Sequence, residues 1–286
     1  MQRPAYIRAL IVISIAAHSL ILPVFAQGPK PDRHADRDAY WRAQRASHAG
    51  LHAEAIAAYT EAIQAAPGDA ESYRGRGQER AALAMHQEAI EDFNSCLAIK
   101  PNYEAVFVDR GLSYAATGDF RSAALDLDAA IQFTSEDSRA YRARASANER
   151  LGRDGAAVVD YTSAIRLEPK DLSLYLARAA VYARYGKNWE ALQDRERAVQ
   201  LAPQNIEAYL ARARSQQSLK KHDKAVADCT TAIRLNPADA RAWTLRGQQY
   251  LLLEKFDEAL SDLKHAQQLD PGNKAITELL AQVPQH

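Results

Sequence analysis

Seven arginines recur at a fixed separation of 34 residues: Arg42, Arg76, Arg110, Arg144, Arg178, Arg212 and Arg246. Six prolines keep the same beat, Pro67, Pro101, Pro169, Pro203, Pro237 and Pro271, with Ser135 where a seventh would fall. A chain with this period does not build one central core. Each unit buries its apolar face against the units before and after it, so the array grows by stacking. What such a fold offers is surface for holding other molecules.

Setting the prolines in register gives units 36–69, 70–103, 104–137, 138–171, 172–205, 206–239 and 240–273. Each carries two helical patterns separated by a turn. The first has an aromatic residue at its fourth place (Tyr73, Phe107, Tyr141, Tyr175, Tyr209, Trp243), although unit one has Ala39 there beside Tyr40 and Trp41. Four residues on stands a small residue: Ala43, Gly77, Gly111, Ala145, Ala179, Ala213 or Gly247. That spacing puts both on one helix face, and the small side chain lets a partner helix come close.

The second pattern has alanine at its twentieth place in every unit: Ala55, Ala89, Ala123, Ala157, Ala191, Ala225 and Ala259. Seven places later the residue is small again, from Ala62 and Cys96 to Ala266, and Tyr59, Phe93, Leu127, Tyr161 and Leu263 stand between. Alternating small and large groups is what interlocking helices need to reach interior density. Asp69, Asp137, Asp171, Asn205, Asp239 and Asn273 precede the next first helix, where their side chains accept from its free amides. Tyr103 breaks that series, and Asn102 is expected to serve in its place.

A helix–turn–helix unit of 34 residues with this ordered set of aromatic, small, alanine, aromatic, alanine and proline resembles the tetratricopeptide repeat family. The likeness spans residues 36–273; unit three, with Phe107, Gly111, Tyr114, Gly118, Phe120, Ala123, Leu127 and Ala130, lacks only the proline. The resemblance implies an all-α fold, a right-handed α-solenoid of about seven repeats, whose first helices line a concave groove. It also implies that the groove binds a peptide or a partner protein. Residues 274–286 read as a capping helix and tail, with Ala275, Ile276, Leu279 and Leu280 on one face.

The repeating arginines have partners of the same period. Asp92, Asp126, Asp160, Asp194, Asp228 and Asp262 are also 34 apart, while unit one has Ala58. Arg76, Arg110, Arg144, Arg178, Arg212 and Arg246 on first helices therefore face an aspartate on each second helix. We expect a structural ladder of ion pairs that fixes register, for which the planar guanidinium fork is suited. Candidate binding residues are taken by analogy from the second, fifth, ninth and thirteenth places of the first helix. These are Arg37, Arg74, Arg139, Arg142, Arg150, Arg184, Arg214 and Arg241, with Glu71 and Glu207 as the few acids on that stripe. The expectation is an arginine-biased inner face with the acids elsewhere, densest where Arg139, Arg142 and Arg150 converge on an acidic segment. The asparagine-and-lysine clamp that some family members use is missing: its asparagine place reads Trp41, Gly75, Asp109, Ala143, Ala177, Ala211 and Leu245.

Units five and six depart from the pattern. Arg195 and Cys229 stand where others have a large apolar group, and Asn188 replaces a bulky residue for which Trp189 would substitute. This junction is expected to open first. His52, His86 and His222 share one place and read as packing residues. His48 and His52 flank Gly50 at a turn with no further ligand, so no metal site is expected. There is no glycine-rich phosphate loop, nucleophile elbow or paired-cysteine motif, and neither enzymatic activity nor a cofactor is expected. Cys96 and Cys229 lie four units apart, too far for a disulfide.

The 36 Asp and Glu balance 36 Lys and Arg, so no global charge draws the chain to nucleic acid. Residues 1–26 read as a signal peptide: Arg3 and Arg8, an apolar run from Ala9 to Leu22, then Pro23 and cleavage after Ala26. Residues 27–35 read as a flexible leader. The expected location is outside the cytoplasm, periplasmic or extracellular, with no membrane span after cleavage. The working expectation is a scaffold that binds a protein or peptide, acidic by preference. The alternatives are a subunit of a secretion, polysaccharide or division complex docked through its outer helices, and a scaffold tethered by an uncleaved leader.

Overall fold

The computed structural model describes residues 35–284. The expected signal peptide, and the leader up to residue 34, lie outside the described residues. Among the described residues there are fifteen helices and no strand: α1 (Ala35–His48), α2 (His52–Ala65), α3 (Ala70–Ala82), α4 (His86–Ile99), α5 (Glu104–Thr117), α6 (Phe120–Phe133), α7 (Ser138–Arg150), α8 (Asp154–Leu167), α9 (Leu172–Arg184), α10 (Asn188–Leu201), α11 (Ile206–Ser218), α12 (His222–Leu235), α13 (Ala240–Leu252), α14 (Phe256–Leu269) and α15 (Lys274–Leu280). Helices pack in consecutive pairs, α1 on α2 through α13 on α14, and each second helix also packs on the next first helix. The result is an all-α solenoid. The short α15 packs on α14 and buries Ile276.

The helix interfaces follow side-chain volume. All seven alanines at the twentieth place are wholly buried. The large residue between the small ones packs on first helices: Phe93, Leu127 and Leu263 fill the space left by Gly77, Gly111 and Gly247 of their own repeats, and Tyr59 reaches the next first helix. A Cβ at Gly75 would stand 2.3 Å from Cζ of Tyr59, so the missing side chain makes room for the ring. At the sixth and seventh pairs the volumes are exchanged: small Cys229 packs in one cluster with large Leu245, which occupies the place of Gly75. Cys229 is wholly buried in that cluster. Trp189 does not replace Asn188; it is 53% exposed, with the Lys221 ammonium over its ring.

Turns and caps set the helix ends. Gly50, Ala84, Gly118, Gly152, Gly186, Lys220 and Glu254, all at the fifteenth place, have positive φ between the two helices of a pair. Asp69, Asp137, Asp171, Asn205, Asp239 and Asn273 each accept from a first-turn amide. At α5 no side chain caps the helix, so Asn102 does not stand in for Tyr103.

Candidate partner-binding face

First helices of successive pairs approach one another (α1 with α3, α3 with α5, α5 with α7, α9 with α11, α11 with α13), and second helices do so less closely. The first helices therefore form the inner, concave side.

The arginines of the ladder hold that side in register. Arg178 donates from Nε and Nη2 to the two oxygens of Asp194 at 2.8 and 2.7 Å. Arg76–Asp92, Arg110–Asp126, Arg144–Asp160, Arg212–Asp228 and Arg246–Asp262 repeat the pairing, and all six aspartates are buried. Their remaining nitrogen does something the arginine and aspartate series alone did not suggest. Nη1 reaches back to the preceding second helix: Arg76 to Thr60, Arg110 to Asn94, Arg144 to Asp128, Arg178 to Thr162 and Arg246 to Thr230. Each of these arginines joins three helices across two repeats. The signal was present, because Thr60, Asn94, Asp128, Thr162 and Thr230 fall on the same 34-residue period, broken only at Glu196. In the first pair, where Ala58 replaces the aspartate, Arg42 bonds Glu61 instead.

The candidate binding arginines lie on the first helices, but they are not a bare positive stripe. Arg74 pairs with Asp109 of the next first helix and bonds the Tyr103 hydroxyl. Arg139 folds back on Asp137, and Arg142 bonds Asp171. Arg184 spans Asp154 and Glu149. Arg241 sits between Asp239 and Glu207, and Arg214 shares Glu207 at 3.6 Å. Arg150 stacks over Phe120 instead of joining Arg139 and Arg142. Arg37, at the exposed start of α1, borders a shallow depression of about 530 Å³ with Tyr40, Trp41, Asp69 and Glu71.

Two expectations are thus corrected: the acids do not lie elsewhere, and Arg139, Arg142 and Arg150 do not converge. The cause is local. An aspartate that caps a helix with one oxygen keeps the other for a guanidinium, and Asp137, Asp171 and Asp239 sit within reach of these arginines. Hydrogen bonds from Arg184 hold the Asp154 carboxyl below the usual carboxylate range. Those from Arg241 do the same for Asp239. Burial raises the Asp171 carboxyl, but the bonds from Ser173 and then Arg142 outweigh it and hold it low. The inner face is a lattice of paired charges whose arginines remain about half exposed.

Both thiols are buried, which pushes Cys96 up to about 11 and Cys229 up to about 12, far from the thiolate range. Of His52, His86 and His222, two do more than pack: Nδ1 of His52 meets Glu79 at 2.7 Å and that of His222 meets Gln249 at 3.0 Å, while His86 Nδ1 is buried without such a partner among the described residues. Among the described residues no cluster of His, Cys, Asp and Glu is placed to hold a metal ion. No described helix is long and apolar enough to cross a membrane.

Tetratricopeptide repeat family models match residues 108–171, 206–239 and 240–273. No curated protein is similar enough in sequence to count as a relative. Among solved structures, the C-terminal part of a repeat-containing protein of this kind from Cytophaga hutchinsonii is 19% identical, with a TM-score of 0.73 over 86% of this chain and 99% of that one. A tetratricopeptide repeat protein from Parabacteroides merdae is 18% identical, with a TM-score of 0.62 over 87% of this chain and 99% of the other. YrrB, described as having an unusual peptide-binding site, is 17% identical, with a TM-score of 0.57 over 64% of this chain and 95% of its own.

Proposed function

Because the chain is a tetratricopeptide repeat protein, built to act as a protein–protein interaction scaffold, we propose that it holds a peptide or partner segment along its inner face. The observation that carries this reading is the state of that face. Its side chains are tied from repeat to repeat by Arg74–Asp109, Arg184–Glu149 and Arg241–Glu207, and Arg184, Arg241 and Glu207 remain about half exposed. A surface ordered before binding loses little side-chain freedom on binding. The proposed mode is non-enzymatic and needs no cofactor. The apolar run and small-residue site near Ala26 support export to the cell envelope as part of the same proposal.

A second reading has one observation in its favour. On the outer side, between α6 and α8, a depression of about 650 Å³ is walled by Leu125 and Val159, which are 71% and 64% exposed. Two open apolar side chains lining one depression are the kind of contiguous patch that marks a docking surface.

Capture from an envelope extract separates the two. Ser146 and Ala180 are exposed on the inner face of α7 and α9. Ser146→Trp/Ala180→Trp should lose the partner that wild type retains, while Leu125→Glu/Val159→Lys keeps it. The opposite outcome would transfer the function to the outer helices.

A further inference from the structure

The large-residue slot of the second helix opens onto the inner face, and at the fifth repeat it holds a cation. In this slot the Tyr59 hydroxyl accepts from Gln44, an inner-face residue of α1. Tyr161 donates to Glu149, which in turn bonds the exposed Arg184. The slot therefore runs from the helix interface to the groove floor. Arg195 occupies it between α10 and α11, half-buried, and its Nη1 donates to the buried Ser215 hydroxyl.

Among the described residues no carboxylate lies within ion-pair distance of Arg195. The nearest acid along the chain, Asp194, is engaged by Arg178. The like charge of Arg214 adds to the cost of burial, and together they lower the affinity of Arg195 for its proton. Among the described residues Arg214 pairs with Glu207 alone, at 3.6 Å, and Glu207 is held more closely by Arg241 at 2.9 Å. Arg214 and Arg241 thus share Glu207, with Asp239 on Arg241, and neither carboxylate is in ion-pair contact with Arg195. Elsewhere on this face Arg74, Arg139, Arg142 and Arg184 each have a carboxylate of their own. A half-buried guanidinium without a counter-charge is unfavourable unless one arrives from outside.

We propose that Arg195, with Arg214 beside it, anchors a carboxylate side chain of a peptide lying along the inner face at the junction of the fifth and sixth repeats. This rests on the groove reading above and names the chemistry of one contact within it. Charge complementarity selects an acid, and the planar fork of Arg195, with one nitrogen on Ser215, keeps further donors for two carboxylate oxygens.

The test uses randomised short peptides with a fixed central Glu, Gln or phosphoserine, probed with the full chain. Arg195→Leu is the informative variant, since Leu127 and Leu263 fill the same slot in other repeats. Its thermal melting should rise, because an apolar side chain replaces an uncompensated charge. Wild type should favour Glu over Gln at the centre by about tenfold, the scale of one charge-assisted contact. Arg195→Leu should abolish that preference while still retaining peptides, and Arg195→Lys should restore part of it. An undiminished preference for Glu in Arg195→Leu would overturn the anchor and leave the groove intact. Stronger retention of phosphoserine than Glu, dependent on Arg195, would overturn the carboxylate assignment. Failure of wild type to retain any peptide would bring down the groove reading itself, and the anchor with it.

Discussion

The Arg178 guanidinium grips both oxygens of Asp194, sixteen residues on, and with its third nitrogen bonds Thr162, sixteen residues back. That single side chain connects α9 to α10 within a repeat and to α8 of the repeat before. Coupling between neighbouring repeats is what makes a stacked array unfold as a unit.

Breaking one rung should therefore be costly. Arg178→Ala strands the buried Asp194 carboxylate, and loss of one partner of a buried pair costs about 3–5 kcal/mol. Urea unfolding followed by circular dichroism measures this. Arg178→Leu/Asp194→Leu should cost less than the sum of its single changes, because neither charge is left alone. A loss no larger than that of an exposed pair, about 0.2–1 kcal/mol, would show that the rungs carry no structural load.

The exchange of volumes between Tyr59–Gly75 and Cys229–Leu245 gives a second expectation. Gly75→Leu should destabilise by about 1–3 kcal/mol through overpacking against the Tyr59 ring. Adding Tyr59→Cys reproduces the pairing of the sixth and seventh repeats and should recover part of that loss. Strict additivity in the double-mutant cycle would mean that the two side chains do not compete for space.

Three turns hold a residue other than glycine at positive φ: Ala84 at 59°, Lys220 at 57° and Glu254 at 57°. The corresponding place elsewhere is glycine. Lys220→Gly should raise the melting temperature, since the left-handed conformation costs an ordinary residue about 1–2 kcal/mol, against which a smaller entropic loss is set. An unchanged or lowered melting temperature would contradict the assigned turn geometry.

Acidity and alkalinity should both weaken the fold, for opposite reasons. The carboxyls of Asp154, Asp171 and Asp239 are held below their usual range, so their contribution is present above about pH 4 and fades as pH falls through the folded values. Burial raises the Tyr59 and Tyr161 hydroxyls, so their contribution is complete below about pH 10 and is lost as pH rises beyond it. Melting temperature against pH should show a plateau between these limits. A maximum at the acid end would contradict the paired aspartates.

The repeat and its ladder were legible because both are periodic: a contact made at one repeat is made at the next, and 34-residue spacing exposes it. Even the third rung contact, to Thr60 and its counterparts, could have been read from that series. The inner face was less legible: Arg139–Asp137 and Arg241–Asp239 are two residues apart and could have been read locally, but the other pairs depend on distances between repeats. Arg142 meets Asp171 only because the cap of the next helix lands beside it. Gly75 shows the same limit, since its purpose is visible only once Tyr59 is placed against it.

The central claim is that the inner face is the working surface, and site-specific photo-crosslinking tests it most directly. A photoreactive residue would be placed in turn at Ser146 and Ala180, exposed on α7 and α9, and at Leu125 and Val159, exposed on α6 and α8. Irradiation in an envelope extract should produce partner adducts from Ser146 and Ala180 and none from Leu125 or Val159. Adducts from the outer pair alone would contradict the account and identify the apolar depression between α6 and α8 as the docking surface.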